Sequence, residues 1–159
     1  MIRPYEDSDF DAFRTMFGDY FANDFQMPLS EADLTKVCTD IARDLRVVPQ
    51  LFLDLAVVDG APVGFIAYQV DSPASDWCER EGWGMVRELY VVPARRRQGH
   101  GRALAAHAAD VLTALGVPGL YLTGDDAAEA FWTALGYRPT AQICARNDCR
   151  IYVRETIRA

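Results

Sequence analysis

Two glycines one residue apart stand where the sequence otherwise predicts the start of a helix. They are Gly99 and Gly101, which follow three arginines and a glutamine and precede an alanine-rich stretch. Glycine weakens helices, but it lets the backbone approach a ligand closely and adopt a positive φ. A glycine-rich turn between a strand and a helix also directs free backbone N–H groups and the helix dipole at one point. We therefore predict a phosphate site at this turn, with positive charge added by Arg95, Arg96 and Arg97.

The segment lacks the motifs of two common phosphate-binding sites, the P-loop and the dinucleotide-binding turn. A P-loop needs a Gly-Lys pair, whereas the one lysine of this chain, Lys36, follows a threonine. A dinucleotide fingerprint would place its third glycine where Leu104 stands. A plain arginine-rich helix cap stays open as the simpler interpretation.

The sequence as a whole predicts an alternating α/β order in a single domain over residues 1–159. Apolar residues at helical spacing begin at Phe10, and a second helix is predicted to start after Ser30, whose spacing to Asp33 resembles a capping box. Two apolar runs joined by Asp59-Gly60 predict a β-hairpin. Strands are expected at 1–5, 51–58, 62–70, 85–92, 120–123, 142–145 and 149–154, and helices at 10–21, 30–45, 99–115 and 127–135. The helix at 99–115 presents one apolar stripe, formed by Leu104, Ala108, Val111 and Leu115.

Composition predicts a bacterial, cytoplasmic protein without a metal. No apolar run approaches the ~18–20 residues that a membrane span needs, and the N-terminal segment lacks the apolar core of a signal peptide. The cysteines form no CxxC pair, so structural zinc has no support. Buried free thiols are favoured over a hairpin disulfide between Cys144 and Cys149. The net charge of −7 argues against nucleic acid as a partner.

At the glycine turn the sequence resembles the acetyl-coenzyme A signature of the GNAT N-acetyltransferase superfamily. That signature is Gln or Arg, two residues, Gly, one residue, then Gly or Ala; residues 96–101 read Arg-Arg-Gln-Gly-His-Gly, after a strand that ends at Pro93. The opening at 1–4 with Asp9, the strand at 63–66 and the segment 128–139 also match the family's pattern. The resemblance implies an α/β fold with a mixed, mostly antiparallel sheet of about seven strands. About four helices would flank this sheet, and strands 4 and 5 would splay apart.

The resemblance also implies an acyl-coenzyme A N-acyltransferase, which transfers an acetyl group from acetyl-coenzyme A to a primary amine. The acceptor is a small molecule or a peptide, and the transfer is direct, in a ternary complex. Backbone N–H groups of residues 97–101 would hold the pyrophosphate, and the end of the preceding strand would pair with the pantetheine arm. The implied cofactor-binding residues are Leu89, Tyr90, Val91, Arg96, Arg97, Gln98, Gly99, His100, Gly101, Arg102, Asp125, Ala128, Phe131 and Trp132. A homodimer is compatible with the family.

Glu88 is the candidate catalytic residue. An amine with a pKa of ~10.4 is almost fully protonated at neutral pH, so a base or a water chain must take its proton before attack. Glu88 is the one acidic residue of the strand at 85–92, and it matches the position where many family members carry their glutamate. Two other interpretations stay open, a salt bridge to a nearby arginine and an anchor for the substrate.

Two positions depart from the family's pattern. Where family members often carry a tyrosine that protonates the departing thiolate, this chain has Trp132. Tyr90, Tyr121 or water would then have to serve, or the thiolate would leave unprotonated, since a thiol has a pKa of about 8.5. Asp125 replaces an asparagine that contacts pantetheine. The competing hypothesis is therefore a non-catalytic acyl-coenzyme A-binding sensor.

The acceptor pocket is predicted from aromatic and acidic residues of the first two helices and of the loop at 71–84. Phe21, Phe25 and Trp83 are the candidate substrate-binding residues. Further aromatic and acidic residues in these segments are Phe17, Tyr20, Trp77, Asp19, Asp24 and Glu79. The mixture suits a small cationic or aromatic amine, and a partly buried core with a solvated loop is the alternative.

Overall fold

Strands and helices alternate along the computed structural model, which describes residues 1–156; the last three residues of the predicted domain, 157–159, lie outside the described part. The helices are α1 (Phe10–Asp24), α2 (Glu31–Val47), α3 (His100–Ala114) and α4 (Glu129–Ala134). The strands are β1 (Ile2–Pro4), β2 (Leu51–Val58), β3 (Ala61–Val70), β4 (Gly84–Val91), β5 (Gly119–Gly124), β6 (Arg138–Ile143) and β7 (Arg150–Glu155). Within residues 1–156 no helix is both long and apolar enough to cross a bilayer.

The strands form one mixed sheet in the order β1-β2-β3-β4-β5-β7-β6. The pairs β1–β2, β5–β7 and β6–β7 are antiparallel, whereas β4 and β5 run parallel. The parallel register joins the first three residues of β4, from Gly84 to Val86, to Leu120–Leu122. The predicted fold class is confirmed. The separation of β4 from β5 beyond this register stays a prediction.

Local signals in the sequence account for the start of α2 and for one hairpin. The Ser30 hydroxyl accepts the Asp33 backbone N–H at 3.1 Å, as a helix cap should. Asp59 and Gly60 join β2 to β3 with φ of 50° and 78°, the left-handed geometry that such a two-residue turn requires.

Two details of the predicted elements are wrong. The buried stripe of α3 runs through Leu104, Ala108 and Leu112, whereas Leu115 is exposed. The prediction counted Val111 and Leu115 because both are apolar, but the buried side of the helix also contains Ala105 and Ala109, which lie at helical spacing from Leu112. β6 begins at Arg138 rather than at residue 142, because an exposed outer strand carries no alternating apolar pattern to mark its start.

The described chain divides into two compact units. Unit 1 contains Met1–Ala67 and Glu88–Leu104, and unit 2 contains Tyr68–Arg87 and the described residues from Ala105 onward. The core of unit 1 is rich in aromatic residues from α1 and β3, such as Phe13, Phe17 and Phe65. The core of unit 2 includes Met85 and Tyr121. A single domain over the whole chain stays a prediction.

An ion pair near the N-terminus joins β1 to the start of α1. The Asp9 carboxylate accepts two hydrogen bonds from Arg3, at 2.7 and 2.8 Å, and a third from the Glu6 backbone N–H at 2.8 Å. Its side chain is 8% exposed. The hydrogen bonds from Arg3 hold the pKa of Asp9 below its usual range, although burial opposes this shift. Asp9 thus stabilises the folded state at every pH at which its carboxylate is ionised.

Substituting Asp9 tests this contribution. A carboxylate with a lowered pKa stabilises the fold above its unfolded pKa of about 3.9, and this stability disappears as the pH falls through the folded value. Asp9→Asn should reduce the free energy of unfolding at pH 7 by about 1–3 kcal/mol. Urea unfolding from pH 7 to pH 2 should show the two proteins converging below about pH 4. Exposed Asp11, changed to Asn, is the control, and an equal loss there would contradict the account.

Candidate functional site

Glu88 lies on β4 in unit 1, where a tyrosine of α1 meets its carboxylate. The Tyr20 hydroxyl donates a hydrogen bond to Glu88 Oε2 at 2.5 Å. The two residues are 68 positions apart in the sequence. The sequence placed Tyr20 among the aromatic residues of a pocket and missed this contact. A tyrosine within the phenylalanine-rich face of α1 was the available signal, because a buried hydroxyl needs a partner.

The Tyr20 ring is held on several sides by other aromatic rings. Its centroid lies 4.8 Å from that of Phe25, 5.5 Å from that of Tyr90 and 5.8 Å from that of Phe65. Burial, with the charge of Glu88 as a smaller cause, raises the pKa of Tyr20 far above its usual range. Tyr20 therefore keeps its proton at neutral pH and acts as a hydrogen-bond donor to Glu88.

The glycine turn forms the link between β4 and α3. Its backbone is left-handed at Arg97, with φ of 62°, and at Gly99, with φ of 86°. The helix begins at His100, and the Gly99 carbonyl accepts the Ala103 N–H at 3.0 Å. Gly101 lies within the first turn of the helix. Of the two glycines, Gly99 is the one whose positive φ requires glycine's conformational freedom. The first N–H groups of α3 have no partner within the helix, as at any helix start.

Of the three arginines before the turn, Arg96 makes the most contacts that the structure records. Its Nε donates to the Val91 carbonyl oxygen at 2.8 Å, and its Nη2 lies 3.3 Å from Asp24 Oδ1 at the end of α1. Its guanidinium also lies 5.4 Å from the centroid of the Tyr90 ring. The Arg96 side chain thus joins α1 to β4. The predicted cofactor residues Arg97, Gln98 and Arg102 are exposed.

The remaining predicted cofactor residues lie in unit 2, after β5. Asp125 Oδ1 accepts the Ala128 backbone N–H at 3.1 Å and so caps the turn that leads into α4. Trp132 is buried, and its ring packs edge-to-face against Phe131 at 4.9 Å and against Tyr137 at 5.5 Å. The hydrogen bond of Asp125 is a helix cap, which Asp and Asn side chains can both form.

The two tyrosines considered as proton donors differ in their surroundings. The Tyr121 hydroxyl donates to Asp71 in the buried centre of unit 2. Burial first, and this hydrogen bond second, raise the pKa of Tyr121. The Tyr90 hydroxyl is buried without a hydrogen-bond partner among the described residues, and burial raises the pKa of Tyr90. Tyr121 thus serves the structure of its own unit.

Asp71 anchors the loop that leads from β3 to β4. Its Oδ2 accepts the backbone N–H groups of Glu79 and Arg80, each at 3.0 Å, and its Oδ1 accepts Gln69 Nε2 at 2.8 Å. Together with Tyr121, these bonds satisfy a carboxylate that is 1% exposed. The buried Asp71 side chain therefore holds the later part of the loop at 71–84 through the backbone of Glu79 and Arg80.

The three predicted substrate residues occupy different settings. Phe21 and Phe25, in unit 1, have ring centroids 5.4 Å apart, and Phe25 is 44% exposed. Trp83, in unit 2, packs so closely on Gly119 that a Cβ added there would collide with its ring, and the Arg80 guanidinium lies 4.9 Å from its ring centroid. Phe25 is thus available to a ligand, whereas Trp83 is engaged in packing.

The described part of the chain contains no cluster of side chains that could hold a metal ion. Within residues 1–156, no three His, Cys, Asp or Glu side chains come together as ligands.

Comparisons with known proteins agree on one family. The family model of the acetyltransferase (GNAT) family matches residues 10–137. The PaiA N-acetyltransferase of Thermoplasma acidophilum, solved with coenzyme A, is 14% identical, with 98% of each chain covered and a TM-score of 0.74. An acetyltransferase of Thermus thermophilus is 23% identical, with 98% of this chain and 96% of that chain covered and a TM-score of 0.76.

A third solved structure carries the acyl donor. The GNAT family acetyltransferase of Brucella melitensis, in complex with acetyl-coenzyme A, is 21% identical, with 98% of this chain and 86% of that chain covered and a TM-score of 0.65. No curated protein matches the chain significantly in sequence.

Removing the Tyr121 hydroxyl tests whether Asp71 anchors the loop. Tyr121→Phe takes a hydrogen bond from a buried carboxylate and should lower the free energy of unfolding by about 1–3 kcal/mol, as measured by urea denaturation. The matched control is Tyr152→Phe, because the Tyr152 hydroxyl is equally buried but has no hydrogen-bond partner among the described residues. An equal loss of stability in both variants would contradict the anchoring role.

Proposed function

Because the chain belongs to the GNAT acetyltransferase family, and is therefore an acyltransferase, we propose that it transfers an acetyl group from acetyl-coenzyme A directly to a primary amine. The observation that carries the proposal is the Glu88 carboxylate on β4, held by the Tyr20 hydroxyl at 2.5 Å. The acceptor is a small molecule or a peptide, and donor and acceptor are bound at the same time.

The donor binds at the glycine turn. The left-handed backbone at Gly99 and the exposed residues at 97–99 suit a pyrophosphate, because the first N–H groups of α3, which have no partner within the helix, can reach it. The dipole of the 15-residue helix α3 adds positive charge at the same point. The Arg96 side chain contributes indirectly, since its recorded contacts are with Val91 and Asp24.

Glu88 accepts the proton that the acceptor amine loses, either directly or through one water. Acetyl-coenzyme A supplies the activated acyl group, and the new C–N bond forms as the C–S bond breaks. The departing thiolate takes its proton from solvent, because the chain has Trp132 where the family's tyrosine would stand. A thiol with a pKa of about 8.5 leaves readily enough for this to suffice.

The acceptor lies against the end of α1. Exposed Phe25 and its neighbour Phe21 supply aromatic surface, and the acidic Asp19 stands on the same helix. This combination favours an amine that carries an apolar or aromatic portion. The competing function, an acyl-coenzyme A sensor, is favoured by Trp132, and it predicts binding without turnover.

Gly99 tests the donor site. An alanine at φ of 86° is strained, so Gly99→Ala should distort the turn and weaken coenzyme A binding by ten-fold or more in isothermal titration calorimetry. The matched control is Gly116→Ala. It has the same change at a φ of 84°, just after the other end of α3, with open space for the added Cβ. This control should lose stability without losing affinity. Equal affinities in both variants would contradict the proposed donor site.

Glu88 tests the catalytic step. Glu88→Gln keeps the shape but removes the base, so kcat should fall by about 10²–10⁴-fold, while coenzyme A affinity is retained. Thiol release from acetyl-coenzyme A across a panel of amines, followed from pH 6 to 9, measures the effect. Glu81→Gln, in an exposed loop, should behave like the unaltered protein.

Two outcomes of the same assay would contradict the proposal. An unchanged rate for Glu88→Gln over the whole pH range would remove Glu88 from the mechanism. Tight binding of acetyl-coenzyme A by the unaltered protein, without turnover of any amine, would favour the sensor.

A further inference from the structure

We propose that Tyr20 is the positioning residue of the reaction, because its hydroxyl aims the Glu88 carboxylate and keeps it ionised. The inference rests on the proposed function, in which Glu88 accepts the proton of the amine. It adds a residue on α1 that the motifs of the sequence do not single out.

The geometry around Tyr20 leaves its hydroxyl little freedom. The residue is 7% exposed, and its ring meets Phe65, Phe25 and Phe21 edge-to-face, with centroids 4.8–5.8 Å away. Rotating the ring would break these contacts, whose edge-to-face arrangement is one that aromatic pairs favour. The hydroxyl is thus held at the Glu88 carboxylate, 2.5 Å from Oε2.

The hydrogen bond also favours one ionisation state of Glu88. Partial burial favours the neutral form of a carboxyl group, whereas a hydroxyl that donates to it favours the charged form. Tyr20 can act this way throughout the working pH range, because its own pKa lies far above it. A general base must be unprotonated before the amine attacks, so the hydroxyl increases the fraction of active enzyme near neutral pH.

The charged groups recorded near the pair lie on α1 and at the donor turn. Asp24 on α1 adds negative charge near Tyr20, and Arg96, 3.3 Å from its Oδ1, offsets this charge. Asp19 on α1 acts on the neighbouring Tyr90 of β4. From β3 the residue packed on Tyr20 is the apolar Phe65. Among these neighbours, Tyr20 donates a hydrogen bond to Glu88.

The test is the pH dependence of kcat/KM for the amine in Tyr20→Phe. The ring is retained and the hydroxyl is lost, so the acidic limb of the profile should move to higher pH by about one unit. At pH values below the limb the rate should fall by about ten-fold, and at pH values above it the rate should recover to that of the unaltered enzyme. The KM for acetyl-coenzyme A should not change. Tyr5→Phe, whose ring packs on Phe13 in the same core, is the control and should leave the profile unmoved.

A double variant separates positioning from a structural role. If Tyr20 acts through Glu88, Tyr20→Phe should have no further effect on the rate when Glu88→Gln is already present. An equal loss in both backgrounds would overturn the inference, and so would a Tyr20→Phe profile that superimposes on that of the unaltered enzyme. The proposed function fails on different results, namely an unchanged rate for Glu88→Gln alone or no turnover of any amine by the unaltered protein.

A second measurement keeps the inference testable if Tyr20→Phe does not fold. A 3,5-difluorotyrosine at position 20 is a more acidic hydrogen-bond donor of nearly the same size. It should move the acidic limb in the opposite direction, to lower pH. A limb that stays in place or moves to higher pH would overturn the inference.

Discussion

The hydrogen bond from Tyr20 to Glu88 is the contact on which the candidate site depends. It joins a helix near the start of the chain to a central strand, and it gives a half-buried carboxylate a partner. Burying a charge without such a partner would be costly. Because of this contact, the phenylalanine-rich core of unit 1 has a second role. Its rings hold Tyr20 rigidly, so the packing that stabilises α1 also orients the proposed base.

The proposed donor site follows a different principle, because it consists mainly of backbone groups. Gly99 provides a left-handed turn, and α3 begins one residue later, where the first N–H groups have no partner within the helix. The sequence predicted that the three arginines would add positive charge around a site made by the main chain. In the structure, however, Arg96 contacts the Val91 carbonyl and Asp24. One arginine of the signature therefore connects the donor turn to the same helix that carries Tyr20.

Features that depend on neighbouring residues were predictable from the sequence, and features that depend on distant pairs were not. The Ser30 cap, the Asp59-Gly60 hairpin and the helix after Gly99 each follow from a few adjacent residues. The mixed sheet of seven strands followed from the family resemblance. The partner of Glu88 lies 68 residues away, and many tyrosines were available. The stripe on α3 was partly wrong because the choice between Val111 and Leu112 depends on which side of the helix packs.

The most direct measurement is a crystal structure of the protein with coenzyme A and an acceptor amine bound together. The account predicts that the Glu88 carboxylate lies within about 3.2 Å of the amine nitrogen, or reaches it through one water. It also predicts that the Tyr20 hydroxyl still donates to that carboxylate. An amine bound away from Glu88, with no water between them, or a Tyr20 hydroxyl turned to another partner, would contradict the account.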